Sequence, residues 1–155
     1  MCSSDLHDKK QGYHSSDDKL VITYIVDSPG GCVDSILKFV DFLTLARTKY
    51  PYVEFVSIIT GFTASAGTIM ALVADKRYMT RNASAMIHEL SSGSSGMFTH
   101  LDSYMKHLKT IHDKLVTVYL DNSKMKKSQV EALLKDETWY DAKAYLKAGF
   151  VDKII

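Results

Sequence analysis

Hydrophobic and polar positions alternate in blocks that change character at Leu20. The stretch before it, "MCSSDLHDKKQGYHSSDDK", is polar and has no apolar core, so it predicts a mobile tail over residues 1–18 and no signal peptide. "LVITYIV" then reads as a buried strand, rich in branched residues and stopped at Pro29, Gly30 and Gly31. In "CVDSILKFVDFLTLARTKYP", Val33, Ile36, Leu37, Val40 and Leu43 recur at helical intervals on one face, and Pro51 marks the far limit. "VEFVSIIT" predicts a second strand, followed by a turn from Gly61 to Gly67 and a helix from about Ser65 to Ala74. Strand, helix, strand and helix in this order predict parallel βαβ crossovers.

Two short strands follow in "RYMT" and "ASAMIHEL", the second carrying His88 near its end, and "SSGSSG" marks a flexible segment. From about Thr99 to Leu120, a long amphipathic helix sets Leu101, Tyr104, Met105, Leu108, Ile111, Leu115 and Val118 on a broad apolar stripe. A stripe of that width predicts packing between subunits as well as within one, hence a homo-oligomer. "KKSQVEALLKD" predicts a shorter helix capped by Ser123 or Ser128. The closing "ETWYDAKAYLKAGFVDKII" predicts a short strand or turn, a helix capped by Asp141 and stopped at Gly149, and a last strand. No repeat or linker divides this pattern, so residues 19–155 are expected to form one domain.

Composition narrows the function classes. With 46% apolar residues in 155, the chain can bury a substantial core. Nineteen basic against 18 acidic residues give a net charge of +1, and no Lys/Arg block tracks a phosphate backbone, so nucleic acid is not an expected partner. The most apolar run, Ile59 to Asp75, is broken by Gly61, Thr63, Ser65, Gly67 and Thr68, which argues against a membrane span. Cys2 and Cys32 stand in unlike settings and predict reduced thiols in a cytoplasmic compartment, with Cys32 a small buried side chain. No metal-ligand spacing and no phosphate loop are present, so neither cofactor nor metal is expected, and ATP hydrolysis would have to come from a partner.

The interrupted run carries the chemistry. A serine at a tight strand-to-helix turn meets free N–H groups at the helix start, which makes Ser65 a nucleophile candidate and the N–H of Ala66 an oxyanion donor. A second donor is expected from the Gly30–Gly31 pair, where missing side chains let a substrate carbonyl approach the backbone. Parallel strands bring both turns to one sheet edge, and His88 at a strand end is the natural base. The other histidines, His7, His14, His100, His107 and His112, fall in the tail or on the long helix and read as solvated.

"SPGG", "GFTASAG" and "AMIHE", in this order, together with "DETWYDAKAYLKAGFVDKI", resemble the Clp protease proteolytic subunit (ClpP) family over about Leu20 to Ile155. The resemblance implies a crotonase-like α/β fold of repeated βαβ units in a spiral, with the long helix as a handle joining two rings. It also implies a serine endopeptidase acting on peptides or unfolded proteins through a Ser-His-acid triad, in heptameric rings with an unfoldase ATPase partner. On that basis Ser65 is the nucleophile, His88 the base, and Gly31 with Ala66 the oxyanion donors.

Two departures from the family pattern shape the expectations. The family carries a helix, a strand and an axial loop ahead of the segment matching "ITYIVDSPGG", where this sequence has a short polar stretch, as in a trimmed phage- or plasmid-type variant or a fragment. Weak docking to an unfoldase is therefore expected. At the third triad position the family has aspartate and this chain reads "DET". Aligning "AGFVD" without a gap makes Glu137 the orienting acid, and a shift of one residue makes it Asp136. Two further functions stand beside the peptidase: a ring subunit with little or no activity that shapes an assembly, and a crotonase-type enzyme acting on a CoA thioester. The Ser65 and His88 pair argues against both.

Overall fold

The computed structural model describes residues 19–155, so the expected tail over 1–18 lies outside the described residues. The elements run β1 (Leu20–Ser28), α1 (Val33–Lys49), β2 (Val53–Ala64), α2 (Ala66–Leu72), β3 (Lys76–Met79) and β4 (Ser84–Ile87). Then come α3 (Phe98–Asn122), α4 (Lys127–Lys135), β5 (Thr138–Asp141), α5 (Ala142–Lys147) and β6 (Lys153–Ile154). The strands form one six-stranded sheet with β2 at its centre, pairing in parallel with β1, β3 and β4. β5 joins antiparallel on β4, and β6 parallel on β3. The expected parallel crossovers are thus present.

β2 reaches further than its sequence suggests. The glycine-containing segment expected to be a turn continues the strand to Ala64, and only the chain direction bends. Val56 to Ile59 pair with β3, and Phe62 to Ala64 pair with β4. Between these partners sits Gly61 at φ 56°, where an added Cβ would lie 2.9 Å from Asp27 Oδ1. The same carboxylate accepts from the Phe62 N–H at 3.1 Å, beside a register shift between Val26 and Ser28 on β1. Strand partner exchange therefore replaces the turn, because only glycine gives this φ at low cost and leaves room for Asp27.

α1 buries Ile36 and Leu43 and packs Val33, Leu37 and Val40 partly against the core, as their spacing predicts. Tyr24 on β1 reaches the Met70 carbonyl of α2 at 2.9 Å and meets the Phe39 ring edge-on. Arg47 donates to Asp75 at 2.9 Å and to the Val73 carbonyl at 2.7 Å, tying the end of α1 to the loop after α2. Two residues further along the chain, Arg77 holds Asp152 at 2.7 Å and donates to the Asn122 carbonyl at 2.8 Å, fixing where α3 ends.

Three further expectations need correction. β1 is not a buried strand: Leu20, Val21, Ile22 and Ile25 are exposed, Ile25 by 69%, because β2 is its single partner among the described residues. Cys32 is exposed at the N-cap of α1, not buried. Neither Ser123 nor Ser128 caps α4; Lys126 holds that position and its N–H donates to Gln129 Oε1 at 2.8 Å. Ser123 instead donates to the Tyr119 carbonyl at the end of α3. On α3 the stripe is buried only in its later half, at Ile111, Leu115 and Val118, while Met105 is exposed and Leu101, Tyr104 and Leu108 are half-buried. Asp141 caps α5 as expected, accepting from the Ala144 N–H at 2.7 Å.

Candidate active site

Several small residues in "GFTASAGT" meet something a larger one would disturb. Thr63 is buried and donates to the Val26 carbonyl of β1 at 3.1 Å. A Cβ on Gly67 would come within 3.0 Å of the Ser28 carbonyl oxygen. Between them Ser65 adopts φ 53° and ψ −125°, and no other described non-glycine residue has a positive φ. L-residues avoid this region at a cost on the order of 1–3 kcal/mol, so it persists only where surrounding contacts enforce it. Here the Ser65 N–H donates to the Met86 carbonyl of β4 at 2.9 Å, and its carbonyl accepts from the Thr68 N–H at 3.0 Å.

The glycine pair closes over the same residue. Gly30, at φ 107°, lies so near that an added Cβ would sit 2.7 Å from Ser65 Cβ. Its N–H points back to Ser28 Oγ at 3.2 Å, whereas a Cβ on Gly31 would meet no atom within 4 Å. Gly31, Ser65, Ala66 and His88 line one small cavity of about 70 Å³, whose apolar wall includes Ile69, Leu115 and Leu134. Ala66 opens α2, so its N–H has no carbonyl of its own helix to bond. The predicted nucleophile, base and both oxyanion donors are therefore brought together at one edge of the sheet.

The acid side is looser. His88 follows the last residue of β4 and shares the cavity wall with Ser65, with no hydrogen bond between the two side chains. The antiparallel register pairs Met86 with Trp139 and Ile87 with Thr138 and ends there, with His88 and Glu137 each the next residue beyond the ladder. Glu137 and Trp139 share a face of the extended chain, and Asp136 points to the other. Glu137 Oε1 accepts from the Trp139 indole N–H at 2.8 Å, while that ring stacks on Phe62. Asp136 is the exposed residue at the C-terminal end of α4. Neither carboxylate lines the cavity.

Two further groups belong to this neighbourhood and were not singled out from the sequence. Thr68 Oγ1 donates to the Ser65 carbonyl at 2.6 Å and lies 3.0 Å from the Tyr119 hydroxyl of α3. Burial pushes the Tyr119 hydroxyl up to about 12, so it stays protonated. Thr68 could be noticed only as one of the small polar interruptions, and Tyr119 lies next to a stripe position. Cys32, expected to carry an ordinary thiol, is held below the usual cysteine range by hydrogen bonds from the backbone N–H groups of Ser35 and Asp34.

Comparison with known proteins shows the family. The family model described as Clp protease matches residues 13–155. The chain is 28% identical over 138 residues to the ATP-dependent Clp protease proteolytic subunit 1 of Protochlamydia amoebophila, a match covering 86% of this chain and 65% of that protein. It is 32% identical over 134 residues to the ATP-dependent Clp protease proteolytic subunit of Streptococcus mutans, covering 84% of this chain and 66% of the relative. The chain thus spans just under two thirds of the length of these relatives. A mixed α/β fold with a 25-residue helix and a match across the sheet and all the site residues lead to one assignment: the chain belongs to the Clp protease family.

Proposed function

We infer that residues 19–155 form one protease domain, a serine endopeptidase that cleaves peptides or unfolded proteins through an acyl-enzyme. Ser65 Oγ attacks the scissile carbonyl, and His88 accepts the hydroxyl proton and returns it to the leaving amine. The N–H groups of Gly31 and Ala66 receive the charge that develops on the carbonyl oxygen. Glu137 orients the His88 ring and stabilises imidazolium, a role that needs a carboxylate and tolerates the longer side chain. Water then hydrolyses the acyl-enzyme with His88 as base.

The observation that carries this reading is the strained backbone of Ser65 in a cavity wall shared with His88 and Gly31. A helix-packing serine needs no such conformation, whereas a nucleophile presented at a sharp strand-to-helix turn does. The cross-strand register supports Glu137 over Asp136. The match to proteolytic subunits of ATP-dependent Clp proteases supports ring assembly and an unfoldase ATPase as partner. The half-exposed early part of α3 is the surface we assign to subunit contact.

A fluorophosphonate probe followed by mass spectrometry tests the reading directly. Covalent label on the peptide containing Ser65, absent in Ser65→Ala, is expected. Ser65→Ala should also lower peptide turnover by at least about a thousandfold without unfolding the chain, since it removes one oxygen from a turn built of small residues. Equal turnover by the variant would end the assignment. The bond between Glu137 and Trp139 favours one alternative, a subunit of low activity within an assembly, and complete absence of label in the wild-type protein would select it.

A further inference from the structure

We propose that Thr68 and Tyr119 act as positioning residues that hold Ser65 in its strained, reactive backbone conformation. The proposal rests on the serine-peptidase reading above and adds to it Thr68, behind the cavity wall, and Tyr119, which forms part of that wall.

Proton counting gives the direction of the relay. A threonine hydroxyl carries one hydrogen, and Thr68 Oγ1 gives it to the Ser65 carbonyl at 2.6 Å. The 3.0 Å contact with Tyr119 must then run from the tyrosine O–H to Thr68 Oγ1. A donor that is itself accepting a hydrogen bond is polarised, which strengthens the bond it makes onward. Both side chains are buried, Thr68 completely, so water does not compete for either contact.

Geometry ties this relay to the strain. The Ser65 carbonyl receives two donors from one residue, the Thr68 N–H and hydroxyl, while its N–H is held by Met86 two residues before His88. Rotating the Ser65 peptide toward an ordinary φ and ψ would turn its carbonyl away from Thr68 and break the shorter of these bonds. α3 supplies the terminal donor, and it is anchored nearby, since Arg77 grips the Asn122 carbonyl one turn later. The contacts therefore run from a long helix through α2 to the backbone on which the nucleophile sits. A valine in place of Thr68 would keep shape and lose the hydroxyl.

The test compares wild type, Thr68→Ser, Thr68→Val and the double variant Thr68→Val/Tyr119→Phe. Four readouts are taken: fluorophosphonate labelling rate, kcat and KM on a short peptide, thermal midpoint, and hydrogen exchange of the Ser65 amide. Thr68→Val is expected to lower the labelling rate and kcat by about tenfold or more with KM within about twofold, because Thr68 acts through Ser65 and stands behind the cavity wall. Thr68→Ser should stay within about threefold of wild type. The double variant removes both partners and should regain the thermal midpoint lost in Thr68→Val without regaining the rate. Recovery of rate together with stability would reduce the pair to a packing role and overturn the proposal. The Ser65 amide should exchange about tenfold faster in Thr68→Val than in Thr68→Ser, and equal exchange would also overturn it. If the wild-type protein takes no label, the peptidase reading falls, and amide exchange alone decides whether the relay holds the turn.

Discussion

Ser65 and Glu137 are the two proposed partners of His88 and are held in opposite ways. Ser65 is fixed by three elements: β4 through Met86, α2 through Thr68, and the glycine loop through the close approach of Gly30. Glu137, just before β5, is exposed, and its carboxylate is held by the Trp139 indole two residues along the chain. The proposed nucleophile sits in a backbone conformation that residues with a side chain rarely adopt, so distant parts of the fold must impose it. An orienting carboxylate needs only rotamer freedom and the right register, and both are available at the end of a short strand. The contrast predicts that the serine side is sensitive to anything that shifts the backbone, and the acid side to side-chain chemistry alone.

Short of removing the nucleophile itself, the largest effect should come from the acid side. Glu137→Gln is expected to lower turnover by at least about a hundredfold, within the range reached when an orienting acid becomes an amide, and Asp136→Asn should change it by less than about threefold. Steady-state kinetics on both variants checks this, and the reverse order would move the register by one residue. On the serine side, Gly30→Ala should cost about 1–3 kcal/mol in denaturant unfolding and lower turnover by at least about tenfold, because its Cβ would overlap Ser65 Cβ and its φ is unfavourable. Gly31→Ala, with open space around it, should lose much less stability. Equal losses from the two glycine variants would remove the close approach to Ser65 as the explanation.

A smaller effect sharpens the comparison from the other direction. Trp139→Phe keeps an aromatic ring on Phe62 and removes the N–H that occupies Glu137. An exposed contact of this kind is worth on the order of 0.5 kcal/mol, so turnover should rise about twofold if the carboxylate must leave Trp139 to reach His88. A fall would mean that the indole holds Glu137 in its working position. The smallest effect concerns Cys32 beside Gly31. Its thiol titrates below the ordinary cysteine value because backbone N–H groups stabilise the thiolate, so more of it is ionised at neutral pH. Iodoacetamide should modify it faster than a free cysteine at pH 7, and the reaction should fail on acidification at a lower pH than for the free amino acid. A titration coinciding with that of free cysteine would show that the loop lacks the order of the Ser65 turn.

Much of the site was legible because its signals are local. Gly30–Gly31 after a strand, a serine among small residues, and a histidine closing a short strand each mark a backbone event within a few positions, and all three fall on one cavity. Asp141 as a helix cap was readable for the same reason. The errors share a different cause. "LVITYIV" reads the same on a covered strand and on one with a single partner, since branched residues record strand preference and not what lies above them. Gly61 reads as a turn in isolation, yet it serves as the point where one strand changes neighbours around Asp27. Cys32 read as a small buried side chain because nothing beside it in the sequence signals a lowered thiol pKa, and its exposed place at the start of α1 depends on how the preceding glycines leave the sheet.

The order of strands and helices, the parallel crossovers, the family and the candidate nucleophile, base and oxyanion loop were determined by the sequence by itself, because periodicity, caps and turn residues act over a few positions along the chain. Tertiary structure alone decided that Thr68 meets Tyr119, that Met86 holds the Ser65 N–H, and that β5 pairs antiparallel with β4 in a register setting Thr138 against Ile87. Those facts depend on contacts between residues far apart in the chain and on a register in which one step reverses every side chain. No local pattern encodes either, since the energy that selects them comes from packing the whole sheet and its helices at once.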